Sequence, residues 1–393
     1  MSASDPVVIV GMARTPMGGL LGELAGFSAN ELGAHAIKGA MKEAGVKGED
    51  VELVYMGNCL PAGQGQAPAR QAGIKSGLPK SAEATTVNKM CGSGMQAAVM
   101  GRNAILAGEA TVVVAGGMES MTNAPHLVDL RKGHKYGQAA MKDHMATDGL
   151  EDAYAGGAMG NFADMIAKEY QFTREQQDAY ALETLRRAQS ATKEGRFKRE
   201  ISPVTVKGKA GDTVIDTDEL PRNAKPDKIP TLKPAFSKEG TVTAANASAI
   251  SDGAAALVLM KESEAKKRGL KPLAKIVSTA AHSHEPAYFT TAPVPAMKKA
   301  LDKAGWKAGD VDLWEINEAF AVVPMIAMKE LGITHDKINV NGGACALGHP
   351  IGASGARVLV TLINAMEQKN AKKGVAALCI GGGEGIAMAI ERA

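Results

Sequence analysis

The feature that most constrains this chain is that it contains part of itself twice. Residues 40–53 (AMKEAGVKGEDVEL) align without a gap against residues 300–313 (ALDKAGWKAGDVDL), and Ala40, Ala44, Gly45, Lys47, Asp50, Val51 and Leu53 recur at their counterparts. Two shorter matches follow in the same order: Val87-Asn88 against Val340-Asn341, and residues 114–119 (VAGGME) against 379–384 (CIGGGE). A chain built this way folds as two similar units. Their junction is a natural place for a ligand cleft. The length of 393 residues also exceeds what one simple core holds.

Within the first unit, strand and helix patterns alternate. Residues 7–12, 51–56, 84–88 and 111–114 read as strands, the last closed by Ala115. Residues 31–45, 67–77 and 95–107 read as helices. Such alternation argues for an α/β fold with a mostly parallel sheet under helices. After Ser120 the pattern breaks. Residues 121–142 lack periodicity, 164–193 form a charged helical region, and 201–234 are polar and dotted with five prolines. Thr173-Arg174-Glu175-Gln176 fits a capping box inside the helical region. This middle third reads as a loop-rich insertion, the usual place for substrate contacts. The expected division is a first half over 1–120 and 250–271, a loop domain over 121–249, and a second half over 272–393.

Composition narrows the class of protein. Aromatic residues are 4% and glycines number 45, so the cores must pack Ala, Val, Leu, Ile and Met at short backbone separations. A net charge of +3 gives no argument for nucleic acid. Cys59, Cys91, Cys345 and Cys379 lie far apart without a C-x-x-C spacing, which fits neither zinc nor a disulfide framework. His282 and His284 lack an evident third ligand, so no metal is expected. Free thiols, no signal-peptide pattern and no membrane-length apolar run lead to the expectation of a cytoplasmic protein.

Four stretches carry chemistry. In Asn88-Lys89-Met90-Cys91-Gly92-Ser93-Gly94, a lone cysteine sits at a strand-to-helix turn. Unpaired N–H groups at a helix start favour a thiolate there, and glycines admit a substrate carbonyl. In the stretch from Asn339 to Arg357, His349-Pro350 stands where a P-loop would carry Lys-Ser/Thr, which rejects a nucleoside triphosphate site. His349 at a helix start among glycines could withdraw the Cys91 proton. Cys379-Ile380-Gly381-Gly382-Gly383 ends a strand, either as a tight turn with a buried thiol or as a second reactive thiol beside an N–H for an oxyanion. Asn317-Glu318 either caps the next helix or lets Asn317 hold a water or carbonyl oxygen.

Together these four motifs resemble the thiolases, and among them the acetyl-CoA acetyltransferases of the biosynthetic type. The resemblance spans residues 7–392. It implies two α/β halves in a five-layer α-β-α-β-α arrangement with an inserted loop domain. It implies that Cys91 becomes acylated, that His349 activates it, and that Cys379 moves the proton at the α-carbon of acetyl-CoA. His349 and a water on Asn317 would stabilise the enolate; the N–H groups of Cys91 and Gly381 would stabilise the tetrahedral intermediate. Leu150, Phe236, Ala244 and Ser248 would line the pantetheine tunnel, with Arg222 near the nucleotide end. Met159, Ala319 and Phe320 would enclose the acyl group. The implied reaction joins two acetyl-CoA into acetoacetyl-CoA and CoA. These thioesters are substrates, so no further cofactor is expected. A homotetramer, a dimer of dimers touching through residues 121–142, is also implied.

Three positions depart from the pattern: Ala158 stands where a histidine is usual, Phe289 near a usual methionine, and Cys345 at a usual isoleucine. They leave open a broader-range 3-oxoacyl-CoA thiolase. A decarboxylating condensing enzyme of the same fold is disfavoured by Asn317 and Cys379, and a non-catalytic acyl-CoA carrier by the presence of Cys91, His349 and Cys379 together.

Overall fold

The computed structural model describes residues 5–209 and 211–393. The first half runs β1 (Val7–Arg14), α1 (Ala29–Ala44), β2 (Leu53–Gly57), α2 (Pro68–Lys75), β3 (Glu83–Val87), α3 (Ser93–Ala107) and β4 (Val113–Ser120). The insertion carries α4 (Met159–Glu169), α5 (Arg174–Lys193) and α6 (Glu219–Asn223) before β5 (Ser251–Lys261) returns to the first sheet. The second half runs β6 (Ala274–Ser283), α7 (Pro293–Ala304), β7 (Leu313–Ile316), α8 (Val322–Leu331), α9 (Ile351–Gln368), β8 (Lys373–Ile380) and β9 (Glu384–Arg392).

The main strands lie in the order β7-β8-β9-β6-β1-β5-β4-β2-β3, and the two halves meet where β1 pairs antiparallel with β6. Helices α1 and α2 cover the outer face of the first sheet, and α7 and α8 cover that of the second. Helices α3 and α9 form the central layer between the sheets. This is the expected five-layer arrangement. The central helices have small residues where they touch. A Cβ on Gly94 would lie 2.6 Å from the Ala356 nitrogen, and one on Gly355 would lie 2.3 Å from the Met95 nitrogen.

Strand register makes the duplication explicit. Leu53 pairs with Val113 as Leu313 pairs with Gly374, and both of these in turn pair with the antiparallel strands β5 and β9. Each half even has its bulge at the same place, after Ile9 and after Ile276. The longest sequence match holds: α1 and α7 end at Gly45 (φ 66°) and Gly305 (φ 69°), and a short 3-10 turn precedes β2 and β7. The two shorter matches do not hold. Trp314 pairs with Ile338 where Val54 pairs with Ala84, so Val87 corresponds to Asn341, and the strand matching β3 is reduced to one bridge. Val114 corresponds to Val375, four residues before Cys379.

The two glycine runs therefore serve different purposes. Strand β4 does not close at Ala115 but continues through Gly116 and Gly117, where a Cβ would lie 2.2 Å from the Ala255 oxygen and 2.0 Å from the Gly352 oxygen. Gly381, Gly382 and Gly383 instead make the hairpin turn from β8 to β9, with φ of 92° and 84° at the last two. The whole insertion occupies the place of that turn in the first half.

Within the insertion, the expected single helical region is two helices, broken at Gln171 (φ 59°). Thr173 caps α5 as its capping box requires, with reciprocal bonds to Gln176 of 3.0 and 3.3 Å. A buried guanidinium fixes the insertion to the scaffold: Arg14 of β1 pairs with Glu200 and with Asp218, each at 2.6 Å. Thr361 and Asn364 of α9 also bond Glu200, which ties one insertion carboxylate to both halves.

Gly117→Ala forces a methyl group onto the Gly352 carbonyl. We expect it to cost about 1–3 kcal/mol, read as a drop of about 1–4 °C in the thermal unfolding midpoint. An unchanged midpoint would contradict the close approach of β4 to α9.

Candidate active site

Cys91 lies between β3 and α3 on a turn that its neighbours hold tightly. Met90 has φ 46°, Lys89 N–H donates to Ser93 Oγ at 2.8 Å, and Ser93 Oγ donates to the Met90 oxygen at 2.6 Å. Gly92 lets this turn sit against the second half: a Cβ there would lie 2.5 Å from Ile380 Cδ1. The backbone N–H of Gly381 lies across the junction, near enough to the Cys91 sulfur to favour its thiolate.

Burial pushes the Cys91 thiol up to about 11, although the Gly381 N–H and its own N–H pull it down. This corrects the expectation of a resting thiolate at a helix start. Desolvation outweighs the helix end, so the resting group is a thiol and needs a base. Cys59 lies beside it, donating to the Met90 oxygen at 3.2 Å, and burial likewise raises its thiol.

His349 precedes α9 as Cys91 precedes α3, and the first turns of these helices are in backbone contact through Gly94. The imidazole is buried and held neutral, its pKa lowered to about 3 first by burial and then by the Arg357 charge. Its hydrogen bonds fix the tautomer. Ser354 Oγ lies 2.5 Å from His349 Nδ1 and donates to the Pro350 oxygen at 3.0 Å, so Nδ1–H donates to Ser354. Asn317 Oδ1 accepts from Arg357 Nη2 at 3.3 Å, which turns its Nδ2 toward His349 Nε2 at 3.5 Å. Nε2 is left as the unprotonated ring nitrogen, with only the long contact from Asn317 Nδ2 on its lone pair.

Ser354, Arg357 and Glu315 were not assigned parts in this site by sequence reasoning. Arg357 and Glu315 form a buried ion pair of 2.8 Å. The one sequence signal for them was a pair of opposite charges set in otherwise apolar elements.

Neither Asn317 nor Glu318 caps α8, whose N-cap is Ala321. Asn317 instead stands between His349 and Arg357, and its N–H donates to the Ala377 oxygen of β8 at 2.9 Å. The buried Glu318 carboxylate accepts from Tyr180 and Thr184 at 2.9 Å, Asn339 at 2.7 Å and Cys345 N–H at 3.0 Å. It thereby joins α5, the strand end and the loop leading to His349. Cys379 is wholly buried near the end of β8; burial and then the neighbouring Cys91 raise its thiol well above the ordinary range.

Most of the residues expected around the substrate gather on the insertion side of this junction. Met159 faces Gly381, with its Cε 3.7 Å from where a Cβ would stand. Phe236 packs on Gly160 and meets Phe320 edge to face at 6.0 Å; Phe320 meets the buried Phe289 at 6.1 Å. Ser248 N–H and Oγ both bond the Ala319 oxygen, at 2.9 and 3.0 Å. Leu150 packs in the same apolar cluster as Cys91, Cys59 and Ile351. Ala244 is exposed on the turn before Ser248. Arg222 stands apart in its bonding, paired with Glu23 at 2.5 Å. Among the described residues no cluster of metal-ligating side chains occurs.

The fold and this junction are those of a thiolase. The family model for the thiolase N-terminal domain matches residues 7–263, and that for the C-terminal domain matches residues 270–392. The chain belongs to the thiolase family. It is 50% identical to an acetyl-CoA acetyltransferase of Shinella zoogloeoides over 99% of both chains. It is 48% identical to the cytosolic acetyl-CoA acetyltransferase of Mus musculus over 100% of this chain and 99% of that one. The solved acetyl-CoA acetyltransferase of Syntrophomonas wolfei superposes with a TM-score of 0.96 at 42% identity, covering all of both chains. The Acat5 thiolase of Ascaris suum, solved with coenzyme A, gives 0.94 at 44% identity over 99% of this chain and 100% of that one.

The neutral His349 makes a prediction about stability. The unfolded chain binds a proton on this histidine below about pH 6.5, whereas the folded chain refuses it until about pH 3. Its contribution to stability is therefore lost as pH falls through that window, by about 2 kcal/mol at pH 5. His349→Asn should flatten the fall in denaturant midpoint between pH 7 and pH 5. An equally steep fall in the variant would show that His349 is not held neutral.

Proposed function

We propose that this chain is an acetyl-CoA C-acetyltransferase, catalysing the reversible Claisen condensation of two acetyl-CoA to acetoacetyl-CoA and CoA through an acyl-Cys91. What supports this reading is a chain about half identical, end to end, to enzymes of that name, with Cys91 beside Cys379 and the Gly381 N–H, and a neutral His349 just before the helix whose first turn packs on that of α3.

The protons can be followed through both half-reactions. His349 Nε2 takes the Cys91 proton as the sulfur attacks the acetyl carbonyl. The carbonyl oxygen, now negative, receives the N–H groups of Cys91 and Gly381. CoA leaves as a thiolate and takes the proton of Cys379. The acyl-enzyme is left with a protonated His349 and a Cys379 thiolate. A second acetyl-CoA gives its α-proton to Cys379, whose burial makes it a strong base. The enolate oxygen is held by His349 Nε2–H and a water on Asn317. The enolate carbon attacks the acetyl group on Cys91, acetoacetyl-CoA forms, and the expelled Cys91 sulfur recovers its proton from His349.

No step requires a metal or a further cofactor. Leu150, Phe236, Ala244 and Ser248 would hold pantetheine. Arg222 would face the nucleotide, and Met159, Ala319 and Phe320 the acyl group. A cytoplasmic homotetramer fits the same reading; no described helix is long and apolar enough to cross a membrane. Leu130, Tyr136 and Met141 are exposed on the segment proposed as the tetramer contact.

Incubation with acetyl-CoA should leave an acetyl group on Cys91, detected by peptide mass spectrometry, and a folded protein without that adduct would end the proposal. Cys379→Ser should still acetylate but lose condensation by at least about 100-fold; equal loss of both steps would remove Cys379 from its role. Cleavage should run faster on acetoacetyl-CoA than on 3-oxohexanoyl-CoA. The reverse order would favour the broader-range thiolase, which Ala158 and Phe289 keep open.

A further inference from the structure

The Cys91 turn and the Gly381 turn belong to different halves of the molecule, and they run past each other in opposite directions. Gly92 lies against Ile380, the Gly381 N–H lies near the Cys91 sulfur and favours its thiolate, and Lys89 forms an ion pair with Glu384. The three contacts are in register, with the ion pair outermost. Both of its members are short of full exposure, at 26% for Lys89 and 31% for Glu384.

Each end of this pair sits on rigid backbone. Lys89 N–H is bonded to Ser93 Oγ, the first residue of α3. Glu384 is the first residue of β9 and pairs with both Ile380 and Ser283. The turn between has no side chain of its own to hold it, being Gly381, Gly382 and Gly383, the last two with positive φ. Its outer side is held by His284, whose N–H donates to the Gly383 oxygen at 2.9 Å. On the side facing Cys91, the ion pair is what spans the two halves beyond the sulfur itself.

We infer that Lys89 and Glu384 are positioning residues: their ion pair clamps the glycine turn so that the Gly381 N–H stays aimed at the Cys91 sulfur and at the oxyanion formed on its acyl group. An oxyanion donor works only within hydrogen-bond reach of the developing charge, and a displacement of about 1 Å is enough to lose much of its effect. Neither side chain touches the reacting atoms. The catalytic part of this inference rests on the acyl-transfer reading above; the clamp itself does not.

Two measurements separate these. The first is the pH profile of Cys91 alkylation by iodoacetamide, followed by peptide mass spectrometry, in the wild type, Lys89→Met, Glu384→Gln and the charge swap K89E/E384K. Loss of the clamp weakens the N–H bond to the thiolate, so both single variants should shift the profile to higher pH, and the swap should return it toward the wild type. If the two charges act on the sulfur only through space, removing Lys89 shifts the profile up and removing Glu384 shifts it down. Opposite shifts, or no shift in either variant, overturn the clamp.

The second is single-turnover acetylation of Cys91 by acetyl-CoA. Each single variant should acetylate about 3- to 10-fold more slowly, as expected for the loss of about 0.6–1.4 kcal/mol. KM for acetyl-CoA and the unfolding midpoint should stay close to wild type, and the swap should restore the rate to within about twofold. Single variants as fast as wild type, or a swap no faster than the singles, overturn the positioning role. A wild type that alkylates as described but never acetylates rejects the acyltransferase reading and with it the catalytic role, while the alkylation profile still decides the clamp.

Discussion

The structure depends on how closely two helix starts are packed between two sheets. Helices α3 and α9 touch through Gly94 and Gly355, and Gly57 and Gly117 bring the first sheet's backbone against the carbonyl of Gly352. At Gly94, Gly117 and Gly355 a single methyl group would overlap neighbouring backbone atoms. This packing sets the first turn of α3 beside the first turn of α9, so the residues just before them, Cys91 and His349, come from distant parts of the chain to one junction. The high glycine and low aromatic content noted from composition has its physical cause here.

That closeness also sets the electrostatics. At a water-filled helix start a cysteine would tend to ionise and a histidine to titrate near neutrality. Half-buried between two sheets, Cys91 rests as a thiol, and the buried His349 as a neutral imidazole. The charged and acidic groups nearby have dedicated partners: Arg357 has Glu315 and Asn317, Glu318 has four neutral donors, and Glu119 has Asn58 and the N–H groups of Cys59, Leu60 and Gly352. Glu119 is itself raised to about 7 by burial. On the function proposed above, charge develops at this site as a proton leaves Cys91. In a medium of low polarity, fixed N–H groups stabilise such charge strongly.

The duplicated architecture explains the asymmetry of the site. Both halves share strand order, bulge position and helix caps, but β8 and β9 are joined by three glycines while β4 and β5 are joined by the whole insertion. The short connection offers a bare backbone N–H to Cys91. The long one brings Met159, Phe236 and Ser248 over the same end of the molecule. One half supplies Cys91, the other His349 and Cys379, and the interruption of the first supplies the side chains around them.

Much of this was legible in the chain itself. The repeat at 40–53 and 300–313 was strong enough to fix two halves, because helix caps and turn glycines are local requirements that any copy must keep. The Cys91, His349 and Cys379 motifs were visible for the same reason: each is a short run of glycines and a reactive side chain at the end of an element. The weaker alignments failed because two glycines can open a strand to a neighbouring backbone or make a hairpin turn, and only pairing partners distinguish Gly116-Gly117 from Gly381-Gly382-Gly383. Ser354, Arg357 and the Lys89–Glu384 pair were silent because their meaning lies in contacts across the fold, not in spacing along it. The sequence by itself determined the family of folds and the reactive groups, since both follow from local chemistry. Only the tertiary structure decided the protonation states and the aim of each donor, since burial and distance exist only once the two halves are packed together.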